Sequence, residues 1–159
     1  MRRTIKAAAV LSLGATAAFA GAIYDGSCGA CGYKAEGLFL GGGFYPYGVH
    51  ALYAAPAWQE LVVVYFDLKQ LLPPEARPAD DMTVDSATYN KYLGSWSCPA
   101  VITPEDWPPY ANVSTPGGPD RAPTRLDLVD GGSPEVNTPY PCPRCGQLKL
   151  VFERTGFWD

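Results

Sequence analysis

Cys142-Pro143-Arg144-Cys145-Gly146-Gln147-Leu148-Lys149-Leu150-Val151-Phe152 joins two thiols on a tight turn to a run of apolar and β-branched residues, and its reading decides the fold. The same arrangement stands far upstream in Cys28-Gly29-Ala30-Cys31-Gly32, again two cysteines at the same spacing followed by glycine. Two such turns offer four sulfurs, the number that a tetrahedral metal ion requires, so Cys28, Cys31, Cys142 and Cys145 are the candidate ligands. Cysteines spaced in this way start a turn whose backbone N–H groups point at the thiolates, and the following glycine accepts the positive φ that lets the chain fold back. Four thiolates around a divalent ion leave a net charge of about −2, to be offset by hydrogen bonds and cations. Lys34, Arg144 and Lys149 lie within a few residues of the sulfurs in sequence.

The two turns resemble the knuckles of the zinc-ribbon and rubredoxin-like families. The resemblance lies in Cys28-Gly29-Ala30-Cys31-Gly32-Tyr33 and in Cys142-Pro143-Arg144-Cys145-Gly146, with Lys149 and Phe152-Glu153 following. In those families the knuckles flank a small antiparallel sheet and the four cysteines hold zinc or iron, which implies the same role for Cys28, Cys31, Cys142 and Cys145. Residues 32 to 141 separate the pairs, more than in compact members, although loop-closure cost grows slowly with length. Pro104-Glu105-Asp106-Trp107 looks like a rubredoxin stretch but lies too far ahead of the second pair. The expected fold is a small β-rich metal-binding domain: a zinc-ribbon-like antiparallel sheet with a long Pro/Gly-rich insertion and one or two short helices.

Zinc and iron both accept four thiolates; zinc suits a structural role, whereas iron carries an electron. The reading taken is a structural zinc site in a non-enzymatic module, with a rubredoxin-like iron electron carrier and a disulfide-stapled secreted binding module as alternatives. Catalytic disulfide exchange is disfavoured, because a reactive cysteine pair belongs at a helix N-terminus and both pairs run into glycine and strand-like sequence. Cys98 is the fifth cysteine and reads as a small packed residue near Trp96.

The opening residues set the compartment. Arg2, Arg3 and Lys6 precede an apolar run from Ala7 to Ala20, and Ala18-Phe19-Ala20 has the form of a cleavage site before Gly21. This predicts an export signal over residues 1–20 and a periplasmic or extracellular protein, with a twin-arginine variant suggested by Arg2-Arg3. The run is shorter than the ~18 apolar residues of a spanning helix, so no stable membrane insertion is expected. Losing Arg2, Arg3 and Lys6 with no acidic residue moves the formal charge from −4 to −7. Such a chain is repelled by phosphate backbones, which argues against nucleic acid and leaves an unidentified protein or small molecule as partner.

Residues 21–159 read as one domain. Leu61 to Phe66 is too continuously apolar for a half-exposed strand and belongs in the middle of a sheet; Leu38-Phe39-Leu40 and Leu148 to Phe152 are further strands. Residues 73–141 read as an irregular insertion. Within it, Asp85-Ser86 would cap a helix running through Leu93 to Gly94, and Thr103-Pro104-Glu105-Asp106 has the order of a second helix start. From Pro108 to Pro141, prolines and glycines recur too often for regular structure, with turns at Pro116-Gly117-Gly118-Pro119 and Asp130-Gly131-Gly132.

Few other residues suggest chemistry. His50, the single histidine, reads as a packed or surface ring, and without a second one no histidine-based catalytic zinc site forms. Asp80-Asp81 and Glu105-Asp106 read as loop or helix-start charges, and Asn112-Val113-Ser114 fits a glycosylation sequon. The aromatic cluster from Phe44-Tyr45-Pro46-Tyr47 to Trp58 is a candidate binding surface or core. Ala54-Ala55-Pro56-Ala57 and the following Gln59 to Val63 overlay Cys142 to Val151 with a one-residue offset, as a third turn lacking sulfur.

Overall fold

The computed structural model describes residues 21–41, 48–78, 86–114 and 124–158. The predicted export signal, Phe44 to Tyr47, Asp80-Asp81, Asp85 and Pro116 to Pro119 lie outside them. Among the described residues, no helix is long and apolar enough to cross a membrane.

Among the described residues, two antiparallel sheets form. The first, in the order β2-β1-β9-β8, carries both cysteine turns at one end. Its central strands are β1 (Gly21–Cys28) and β9 (Leu148–Trp158), flanked by β2 (Lys34–Leu40) and β8 (Tyr140–Pro141). The first described strand therefore pairs with the last, in register from Gly21 opposite Trp158 to Cys28 opposite Leu150. β9 runs well past the apolar stretch ending at Phe152, because β1 continues to pair with it. Asp25 braces the other seam of β1, its carboxylate accepting the Gly37 N–H at 2.8 Å, where β2 turns through a positive φ of 66°.

The second sheet has the order β5-β7-β3-β4-β6. Its long hairpin is β3 (Gly48–Ala55) and β4 (Glu60–Asp67), and β4 lies between β3 and β6. Successive side chains of a strand point to opposite faces, so a continuous apolar run implies cover on both. On one face Leu52, Leu61 and Val63 pack with Leu38, Leu40, Leu150 and Phe152 of the first sheet. On the other, Tyr53, Val62, Val64 and Phe66 pack with Leu68, Leu72, Leu93, Ile102 and Leu126. Each fully buried apolar side chain of this size contributes ~1.5–3 kcal/mol.

The expectation of irregular structure from Pro108 to Pro141 is corrected at three places. β6 (Ala111–Ser114), β7 (Leu126–Leu128) and β8 arise inside that stretch, and β5 (Val101–Ile102) just before it. Residues 73–141 thus supply three of the five strands of the second sheet. These strands are short, and β6 and β7 contain neither proline nor glycine, so the breakers fall in the connections. Pro141 lies in an outermost strand, where a missing N–H interrupts no ladder.

One short helix forms where expected, α1 (Ser86–Tyr92), and the buried Leu93 behind it anchors it to the core. The second expected helix does not. Thr103 to Asp106 makes a single turn, in which the Thr103 hydroxyl donates to the Asp106 carboxylate at 2.8 Å and the Asp106 N–H donates to the Thr103 carbonyl at 3.1 Å. Pro108 and Pro109 then withhold the donors a helix needs, and the cap closes a turn instead.

Candidate metal centre

The four sulfurs meet at the end of the first sheet. Cys28 ends β1, Cys31 lies on the turn into β2, and Cys142 to Cys145 form the turn between β8 and β9. Because β1 and β9 are neighbours, pairing of the strands alone carries the turns to one place. All four Sγ atoms lie within 4.8 Å of one another. Cys28 Sγ is 3.8 Å from Cys145 Sγ, and Cys31 Sγ is 3.7 Å from Cys142 Sγ. A tetrahedron with zinc–sulfur bonds of ~2.3 Å has an edge of ~3.8 Å, so the donor set fits a four-thiolate metal ion. The same distances are nearly twice a ~2.05 Å disulfide bond, and all five cysteines stand as free thiols.

Both turns close in the same way. The Gly32 N–H donates to the Cys28 carbonyl at 3.0 Å and the Gly146 N–H to the Cys142 carbonyl at 2.8 Å. The Cys28 N–H donates to the Tyr33 carbonyl and the Cys142 N–H to the Gln147 carbonyl, each at 2.9 Å. Gly32 and Gly146 hold φ of 71° and 70°, the left-handed conformation that a side chain disfavours. The turn backbone is thereby bent so that its amides face the sulfurs.

Burial and amide dipoles set the sulfur chemistry. Burial pushes the Cys28 thiol up, but the N–H groups of Ala30 and Cys31, together with hydrogen bonds from the Cys142 and Cys31 side chains, bring the pKa down to about 7. At Cys31 the Tyr33 N–H favours the thiolate, yet desolvation and the neighbouring Cys145 and Cys28 raise the pKa. Burial, with the nearby Cys28 and Cys31, also raises Cys142. Clustered thiolates repel one another, which is the repulsion a cation relieves. Cys28 and Cys142 are buried, Cys145 is half-buried and Cys31 is exposed, so one side of the centre faces solvent.

Tyr33 links the centre to the second sheet, a residue whose role sequence reasoning missed. Its hydroxyl accepts the Leu61 N–H at 2.8 Å, at the start of β4. Arg144 rests over the Tyr33 ring at 4.9 Å, a cation held on the aromatic face next to the first knuckle in sequence. An aromatic residue directly after the first knuckle was the available signal. Lys34 instead lines a shallow cleft with Asp25, Glu36 and Glu153.

The turn between β3 and β4 reproduces the knuckle shape without sulfur. Ala55 pairs with Glu60 across it, and Gln59 takes the left-handed conformation at φ 56°, as Gly32 and Gly146 do. The overlay is corrected by one residue: Ala55 and Trp58 stand where Cys142 and Cys145 do, with Pro56 on Pro143. Its internal hydrogen bond closes over one residue fewer, from the Gln59 N–H to the Pro56 carbonyl at 3.1 Å.

The remaining candidates lie elsewhere. The His50 ring packs against Tyr65 and Trp158, with centroids 4.9 and 5.1 Å away. Cys98 packs beside the core of the second sheet, and burial raises its pKa. Trp58 packs against that same core. Asn112 is exposed on β6. No protein-family model, curated protein or solved structure matches the chain, so its likeness to zinc-ribbon and rubredoxin-like proteins rests on the two knuckles and the four sulfurs they bring together.

Proposed function

We propose that the chain is an exported, non-enzymatic module whose four cysteines hold a structural zinc ion. The observation that carries this reading is the cluster of four Sγ atoms within 4.8 Å, with cross-turn distances matching a tetrahedral thiolate edge. When bound, the ion supplies charge neutralisation and a fixed junction. Cys28 and Cys142 hold it from the buried side and Cys31 and Cys145 from the outer side, while the turn amides and Arg144 offset the excess negative charge. Its task is to tie β1 to the β8–β9 turn and so close the long chain between them. Export is supported by the basic, apolar and small-residue order of residues 1–20, and the acidic balance disfavours nucleic acid as partner.

Metal analysis with a thiol count on the purified full chain tests the reading. One zinc with four thiols shielded from alkylation is the expected result. Iron with visible thiolate charge-transfer absorption would replace it with an electron carrier, and two disulfides with no metal would replace it with a stapled module.

A further inference from the structure

We propose that the centre is a clasp that outlives its metal: a peroxide converts it into two disulfides, Cys28 to Cys145 and Cys31 to Cys142, both still joining the two knuckles. This rests on the metal-site reading and adds to it the redox behaviour of the same four sulfurs. The short approaches of 3.8 and 3.7 Å each run from one knuckle to the other, and together they use every sulfur once. Each pair also sets an outer sulfur against a buried one, Cys145 against Cys28 and Cys31 against Cys142. Accessible thiolates poised beside a resolving cysteine are the sites that peroxides oxidise reversibly.

The chemistry balances at each pair. The outer thiolate attacks one peroxide oxygen, the O–O bond breaks, and the departing hydroxide takes a proton to become water, leaving a sulfenic acid. The buried thiolate then attacks that sulfur, forming the S–S bond as the S–O bond breaks, and the hydroxide released takes a second proton. Two thiolates lose two electrons, one peroxide gains them, and two waters form. Repeated at the second pair, this removes all four donors, and the divalent ion leaves with its oxidation state unchanged. The segment between the knuckles stays tied, because residues 28 and 31 remain bonded to 145 and 142.

The test treats the zinc-loaded full chain with hydrogen peroxide beside a chromogenic zinc chelator, then alkylates, digests with trypsin without reduction and maps the disulfides. Cleavage after Arg144 separates Cys142 from Cys145, so bonds within and between knuckles give different products. The expected result is zinc release in step with loss of four thiols, the peptide holding Cys28 and Cys31 joined to both others, and recovery with dithiothreitol and zinc. In Cys31→Ser, the Cys28 to Cys145 bond should persist. Bonds within a knuckle, a Cys28 to Cys142 bond in Cys31→Ser, a bond to Cys98, or sulfinic acid at Cys31 in place of any disulfide would overturn the proposal. A chain that takes up no zinc sinks the metal-site reading instead, and the map of the oxidised Cys31→Ser variant still decides whether Cys28 pairs with Cys145 or with Cys142.

Discussion

The two sheets are held by different means. The second is covered on both faces by apolar side chains, with Tyr53, Val62, Val64 and Phe66 fully buried. The first leaves Phe39, Leu148, Val151 and Phe157 exposed, and its buried end is made of sulfur: Cys28 and Cys142 belong to its core as Leu150 and Phe152 do. A sheet with so little cover on one face gains from a bonded junction, whereas a doubly covered sheet does not need one. Metal loss should therefore loosen the first sheet while the second stays folded.

The largest effect tests that directly. Cys142→Ser should abolish metal binding, and because such binding is folding free energy, ~10–16 kcal/mol in small zinc peptides, the first sheet should lose most of its stability. Hydrogen exchange should show β1 and β9 amides near the knuckles losing protection while β3 and β4 keep theirs. Equal loss in both would end the contrast. Phe66→Ala, in the other sheet, should cost ~3–5 kcal/mol in urea unfolding and leave the metal content unchanged. Tyr33→Phe removes the acceptor of the Leu61 N–H between the two sheets and should cost ~1–3 kcal/mol, with the change in exchange appearing at the start of β4. Smallest is Gly146→Ala. Nothing crowds the added methyl group, so only the positive φ opposes it, at ~1–2 kcal/mol in thermal unfolding.

The sequence exposed the parts whose causes are local. The cysteine spacing with Gly32 and Gly146, the doubly buried run in β4 and the α1 segment each carry their explanation within a few residues. β5, β6 and β7 do not: strands of two to four residues form because β3 offers an edge to β7, β4 to β6, and β7 in turn to β5, a cause that sits elsewhere in the chain. β1 lacks a local signal too: Gly21, Asp25 and Gly26 are poor strand formers, and the strand exists because β9 pairs with it. Thr103 to Asp106 misled because cap chemistry is shared by turns and helices, and only the prolines at 108 and 109 separate them. The meeting of the four sulfurs was legible as a count, but their place beside Tyr33 and Arg144 was not.

The sulfur-free turn at Ala55 to Glu60 bears on the order of assembly. A left-handed residue and a strand pair complete that hairpin with no thiolate in it. If backbone alone shapes such a loop, each cysteine turn is ready as a two-toothed ligand before the other arrives. An ion caught by the first turn would then wait for the second, and the rate of loading would be set by how fast β9 finds β1, not by any rearrangement around the metal.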